Sequence, residues 1–125
     1  MLTRELLSQT LPYLHLTDKV YQALELMNEN HVNHLPIVEG DKYVGMISEA
    51  DLLLAENDHF TLDSFQQSFF NIAVKEDDHF LKAVQLSADN GLSVVPVITE
   101  ENELIGTLVY NDLLKFSSEF MSLSE

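Results

Sequence analysis

Two stretches of this chain are written almost alike. Tyr43–Leu53 reads YVGMISEADLL, and sixty-one positions later Leu104–Leu114 reads LIGTLVYNDLL. Aligning Pro36 with Pro96 also places Ala23 on Ala83, Leu24 on Val84 and Val38 on Ile98. One extra residue within Thr99–Asn102 shifts the offset, after which Gly45 meets Gly106 and Asp51 meets Asp112. Two units of about 50 residues mark a repeat architecture in which single units cannot bury their own apolar faces. The 125 residues therefore hold two half-size units that must share a core. We divide them as a first repeat over 1–60 and a second over 61–125.

Each unit follows the same order. A short extended piece, Tyr13–Leu16 or Asn71–Val74, precedes a helix expected over 18–30 or 78–90. Val20, Leu24, Met27 and His31 recur at helical spacing in the first, and Phe80, Ala83, Val84 and Ser87 in the second. Thr17 is the expected N-cap of the first helix and Asp77 or Asp78 of the second, while Gly91 suits a left-handed stop. Next come the apolar strands around Pro36 and Pro96, where a proline suits a sheet edge or strand start. Tight turns then lead to strands over Tyr43–Ile47 and Leu104–Val109, and closing helices begin near Glu49 and Asn111. The polar segment Asn57–Ser64 reads as the linker. The fold class is α/β (α+β): two β-α-β-β-α units packed about a pseudo-two-fold axis.

Charge and composition narrow the function. Six Lys and Arg stand against 21 Asp and Glu, a net charge of −15. Nucleic acid and anionic membrane are bound by basic side chains that neutralise phosphates, so neither is an expected partner. There is no Cys, hence no disulfide, thiol nucleophile or Cys-based zinc site. No apolar run approaches the roughly 18 residues of a membrane span, and a cytoplasmic location is expected. Gly-rich phosphate loops, Gly-x-Ser-x-Gly and His-Glu-x-x-His are all missing from the sequence, so we expect binding rather than catalysis. His31-x-x-His34 could suggest a metal, but a helix end followed by a strand start breaks helical spacing, and no metal is expected.

The segments HLPIVEGDKYVGMISEADLL and VVPVITEENELIGTLVYNDLL, preceded by VYQALELM and FLKAVQLS, resemble a pair of cystathionine β-synthase (CBS) domains, a Bateman module. The resemblance runs from about Leu11 to Phe116. It implies a regulatory rather than catalytic role. The implied partner is an adenosyl small molecule (AMP, ADP, ATP or S-adenosylmethionine, alone or with Mg2+) held between the repeats. No cofactor is required, and the implied assembly is a homodimer passing its signal to an effector protein of unknown identity.

By the same resemblance, the first pocket takes Ser48 and Asp51 at the ribose and His34 at the phosphates. Ser68, Ala73, Leu92, Ser93 and Val94 supply its base-binding edge. The second, weaker pocket takes Asp112, with Tyr13, Val32, Asn33 and His34 as its edge; Val109 and Val94 fill its hydroxyl and basic positions. The chemistry is coherent, since a carboxylate can accept from two vicinal hydroxyls through charge-assisted bonds. The helix beginning after Ser48 would also offer free N–H groups to an anion. Two alternatives stay open. Ser48-x-x-Asp51 is equally a helix capping box, and the pair of repeats could serve as a ligand-free oligomerisation or docking scaffold. By the resemblance Glu49 would stand next to the phosphate zone and repel it, which favours AMP, adenosine, S-adenosylmethionine or a magnesium-bridged nucleotide over bare ATP.

Overall fold

The structure, a computed structural model, describes residues 2–6 and 12–110. The closing helix expected near Asn111, with Asp112 and Leu113–Leu114, lies outside the described residues. The rest forms two three-stranded sheets of mixed direction, each with a helix crossover. In the first, β1 (Leu14–His15) runs parallel to β2 (His34–Glu39), which pairs antiparallel with β3 (Lys42–Ser48). In the second, β4 (Val74–Lys75), β5 (Val94–Ile98) and β6 (Leu104–Val109) repeat that order. Helix α1 (Val20–Glu29) joins β1 to β2, α2 (Glu49–Leu53) follows β3, and α3 (Phe80–Asn90) joins β4 to β5.

The proline strands are central in their sheets, not at an edge. Met46, opposite Pro36, exchanges both of its backbone hydrogen bonds with Phe70 (2.8 and 3.0 Å). The ring nitrogen of Pro36 therefore faces the β1 side. There β1 pairs only with Ile37 and Val38, so the missing N–H leaves no gap in the ladder.

The helix caps also differ from the expected ones. Asp18 and Asp78 turn back to accept the N–H of His15 and Lys75 at 2.9 and 2.8 Å, finishing the preceding strands. The N-cap positions fall to Lys19, whose N–H donates to Gln22 Oε1, and to His79, whose Nδ1 accepts from the Leu81 N–H. Gly91 stops α3 at φ 63°, as its sequence suggests. At the equivalent place after α1 stands His31, exposed and at φ 56°, rather than on the buried stripe. A side chain there costs about 1 kcal/mol that glycine avoids. His31→Gly is expected to stabilise the fold by up to about that amount, read as a raised denaturant midpoint at unchanged slope.

The repeats exchange their leading segments. A 3-10 helix over Thr3–Leu6, ahead of the first repeat, docks on the second: Thr3 and Arg4 donate backbone bonds to Asp78 and Glu76. A second 3-10 helix, Leu62–Ser68, docks on the first repeat through the matching bonds from Leu62 to Asp18 and Asp63 to Leu16. The last three residues of the expected linker thus belong to packed structure, and Leu62 is wholly buried. The sheets also meet at the Lys42↔Glu103 bridge, flanked by Tyr43 N–H to Asn102 O and Leu104 N–H to Asp41 O.

One core surrounds Leu14, Leu35, Ile37, Met46, Ile47 and Leu52, and it takes in Leu62, Leu92 and Val94 from the second repeat. A wholly buried side chain of this kind contributes about 1.5–3 kcal/mol. A smaller cluster gathers Val74, Phe80, Ala83, Val95, Val97 and Leu108. The apolar run of α2 splits: Leu52 is buried, while Leu53 and Leu54 are 65% and 81% exposed.

Candidate functional site

His34 opens β2 and pairs in register with Ser48 at the end of β3, so the ladder sets the two side by side. The chain then turns into α2 with Ser48 as N-cap. Its Oγ accepts the Asp51 N–H at 3.2 Å and donates to Asp51 Oδ2 at 3.1 Å. Only half of a capping box forms: the Asp51 carboxylate holds the Ser48 hydroxyl, and its remaining lone pairs stay available. Asp51 also acts electrostatically on His34.

The second repeat closes the group with Ser93. Its Oγ accepts the Asn33 N–H at 3.3 Å and lies 3.3 Å from His34 Nδ1. The contact with Ser93 holds Nδ1 against the second repeat and leaves Nε2 as the outward ring nitrogen. The Phe70 ring meets His34 edge-on at 5.8 Å between centroids. Burial lowers the pKa of His34 below its ordinary 6.5, and the Asp51 carboxylate opposes that shift.

The lowered value has a consequence for stability. As pH falls through 6.5, unfolded His34 takes up its proton before folded His34 does, so the contribution present above 6.5 is lost on acidification. Wild type should lose more stability than His34→Gln between pH 7.5 and 5.5, measured by urea unfolding. Equal losses would mean that His34 titrates as it does in water.

The other sequence-derived positions divide. Ser68 ends the second 3-10 helix and Ala73 precedes β4; both are half-buried, and Phe70 lies between them on the same segment. Leu92 and Val94 point into the core at 4% and 0% exposure. Leu92 also commits its N–H and carbonyl to Ser87 at 3.0 and 2.7 Å. Of that triplet, Ser93 alone presents its side chain to His34. For the second pocket, Val32 is buried, Tyr13 is exposed with its ring edge-on to His15, and Asn33 is exposed; Asp112 lies outside the described residues. Phe70 was not singled out from the sequence. Its signal was slight: an aromatic pair just after Ser68.

Beside this group lie two cavities related by the pseudo-two-fold axis. One, of about 340 Å3, is lined by Met27, Asn28, His31, Val32, Asn33, Glu49 and Ser93. Its counterpart, of about 260 Å3, is lined by Ser87, Ala88, Gly91, Leu92, Ser93, Asn33 and Tyr110. Asn33 and Ser93 form the shared wall, and each carbonyl accepts from the residue that follows the last strand of its own repeat: Glu49 N–H to Asn33 O and Tyr110 N–H to Ser93 O, both 2.9 Å. Among the described residues no group of three or more His, Asp or Glu could hold a metal ion. No helix there is long and apolar enough to cross a membrane.

Comparison with known proteins agrees with this architecture. The family model of the CBS domain matches residues 4–58 and again 71–119. A homoserine O-acetyltransferase of Methanocorpusculum labreanum is 26% identical over 126 residues, covering 100% of this chain but 24% of that enzyme. The chain spans about a quarter or less of the length of the first curated relatives it matches. Among solved structures, a CBS domain pair/ACT domain protein of Thermotoga maritima superposes with a TM-score of 0.84 at 20% identity, covering 95% of this chain and 98% of that one. CBSX2, solved in complex with AMP, gives 0.72 at 20% identity, covering 96% and 98%. With both repeats matched across most of its length, this chain belongs to the CBS domain family.

Proposed function

We propose that this chain is a regulatory module that binds an adenosyl ligand between its two repeats and has no catalysis of its own. The observation that carries the reading is that His34, set beside Ser48 and Asp51 in one repeat, contacts Ser93 of the other. In this reading Asp51 accepts from the ribose hydroxyls, with Ser48 holding its carboxylate in place. His34 turns its outward ring nitrogen, Nε2, to the ligand's polar end, and Ser93 orients its ring. Phe70, between Ser68 and Ala73, gives an apolar wall of the kind an adenine face needs. The AMP held by CBSX2 supports the ligand class.

Thermal melts with adenosine, AMP, ADP, ATP and S-adenosylmethionine, with and without Mg2+, test it. A ligand at 100 times its Kd adds about 2.7 kcal/mol, a rise of about 10 °C for a chain of this size. We expect at least one compound to raise the wild-type midpoint and to leave that of Asp51→Ala unmoved. A variant that responds like wild type would remove Asp51 from the site.

The exposed Leu53 and Leu54 favour a second role, self-association through α2 into a homodimer. Should no adenosyl compound move the melt while Leu54→Glu halves the solution mass, the scaffold reading would replace the sensor.

A further inference from the structure

We infer that the cavity at the end of α1 is a binding site of its own, for a small organic cation with an ammonium or guanidinium head held by His31 and Glu49. The inference does not rest on the adenosyl reading. His34, Ser48 and Asp51 do not line this cavity, and of the first-pocket residues Ser93 alone does, with Val32 and Asn33 from the edge of the second.

The first observation is a difference between symmetry mates. The two cavities are lined by equivalent positions, one for one, so the fold itself makes both. Their chemistry diverges: Asn28, His31 and Glu49 stand in the first where Ala88, Gly91 and Tyr110 stand in the second.

The second is that His31 is kept at a cost. It ends α1 at φ 56°, as Gly91 ends α3 at φ 63°. A Cβ at Gly91 would meet nothing within 4 Å, so the helix stop has no use for a side chain. A backbone position that favours glycine yet carries an imidazole, on the wall of a cavity, points to a role for that imidazole.

The third is what the wall has to offer. Among the described residues, no hydrogen bond or ion pair engages the side chains of Asn28, His31 or Glu49. A carboxylate, a carboxamide oxygen and an uncharged imidazole all accept, and the carboxylate adds negative charge. An ammonium or guanidinium, which only donates and is positive, complements them. Met27 and Val32 add apolar wall for a short carbon body, and about 340 Å3 is at the small end of organic-ligand pockets.

Amide shift mapping of the whole 15N-labelled chain at pH 7.5 and low salt tests the inference, with n-butylammonium, n-butylguanidinium and uncharged n-butanol as probes. At least one cation should give saturating changes centred on Asn28, His31–Asn33 and Glu49, and n-butanol should bind at least about fivefold more weakly, the upper range for one exposed ion pair. Glu49→Gln should weaken the cation by a similar factor. His31→Gly should weaken it too while raising the denaturant midpoint, so that lost binding is not lost folding. Glu39→Gln removes an exposed carboxylate elsewhere and should change nothing. Nα-acetyl-lysine methylamide, with the same head on a peptide, distinguishes a partner's side chain, if it binds more tightly than n-butylammonium, from a free amine, if it binds less tightly; either supports the site. Wild-type affinity in Glu49→Gln or His31→Gly, n-butanol as tight as the cations, or an equal loss in Glu39→Gln overturns it and leaves the adenosyl reading standing.

Discussion

Gly45→Ala is expected to destabilise the protein by on the order of 3 kcal/mol, lowering the thermal midpoint by about 10 °C. A Cβ at this position would stand 3.1 Å from Phe69 Cβ and 3.3 Å from the Phe70 carbonyl, which belong to the segment that leads into the second repeat. The Phe70 carbonyl is fixed by its bond from the Met46 N–H, so it cannot retreat without breaking the bridge. Gly45 also sits at φ 149°, a conformation that L side chains rarely adopt. Gly40→Ala is the control: its φ of 66° is also unfavourable, but nothing lies within 4 Å of its Cβ. It should cost clearly less. Equal losses would mean that the close approach of the two repeats at Gly45 contributes nothing.

Tyr43→Ala should cost about 3–5 kcal/mol, the range for removing a buried aromatic side chain. Tyr43 is 2% exposed, and its hydroxyl donates to the Ile72 carbonyl at 2.8 Å, crossing from β3 to the second repeat. Burial drives the phenol pKa upward, so it stays neutral and remains a donor throughout the accessible pH range. Tyr43→Phe separates the two contributions. It keeps the ring but leaves the Ile72 carbonyl without this donor, at a cost of about 1–2 kcal/mol. Urea unfolding of both variants checks the pair; a Phe variant as damaging as Ala would assign the whole effect to the hydroxyl.

The repeat was legible because its markers are chemically scarce. Proline, glycine and an acid at fixed intervals, set among apolar triplets, give a register that survives divergence elsewhere. Strand β6 falls at Leu104–Val109, as the pattern predicts, and α1 and α3 begin within two residues of their expected starts. What the sequence hid lies where two roles compete for one residue. Asp18 and Asp78 look like helix caps yet serve the strands before them, and His31 looks like a helical core position yet takes a left-handed stop. Pro36 reads as an edge residue only until the shortness of β1 is known. The exchanged 3-10 helices have no periodicity to read, since their bonds run to residues 44 to 75 positions away along the chain.

The candidate site shows the same division. His34, Ser48 and Asp51 follow from the strand–turn–helix pattern and come together through β2–β3 register. Ser93, Leu92 and Val94 share one short stretch, but strand alternation with a helix stop sends the two apolar side chains into the core and leaves the serine facing the first repeat. Phe70 joins by a contact across the repeats that no local pattern encodes.

The most direct test of a ligand between the repeats is amide chemical-shift mapping of the uniformly 15N-labelled chain, titrated with adenosine. The account predicts that the largest changes gather on both sides of the seam, at Asn33–His34 and Ser48–Asp51 in one repeat and at Phe70 and Ser93 in the other. No saturating changes at millimolar adenosine, or changes confined to one repeat and remote from Asp51, would contradict it.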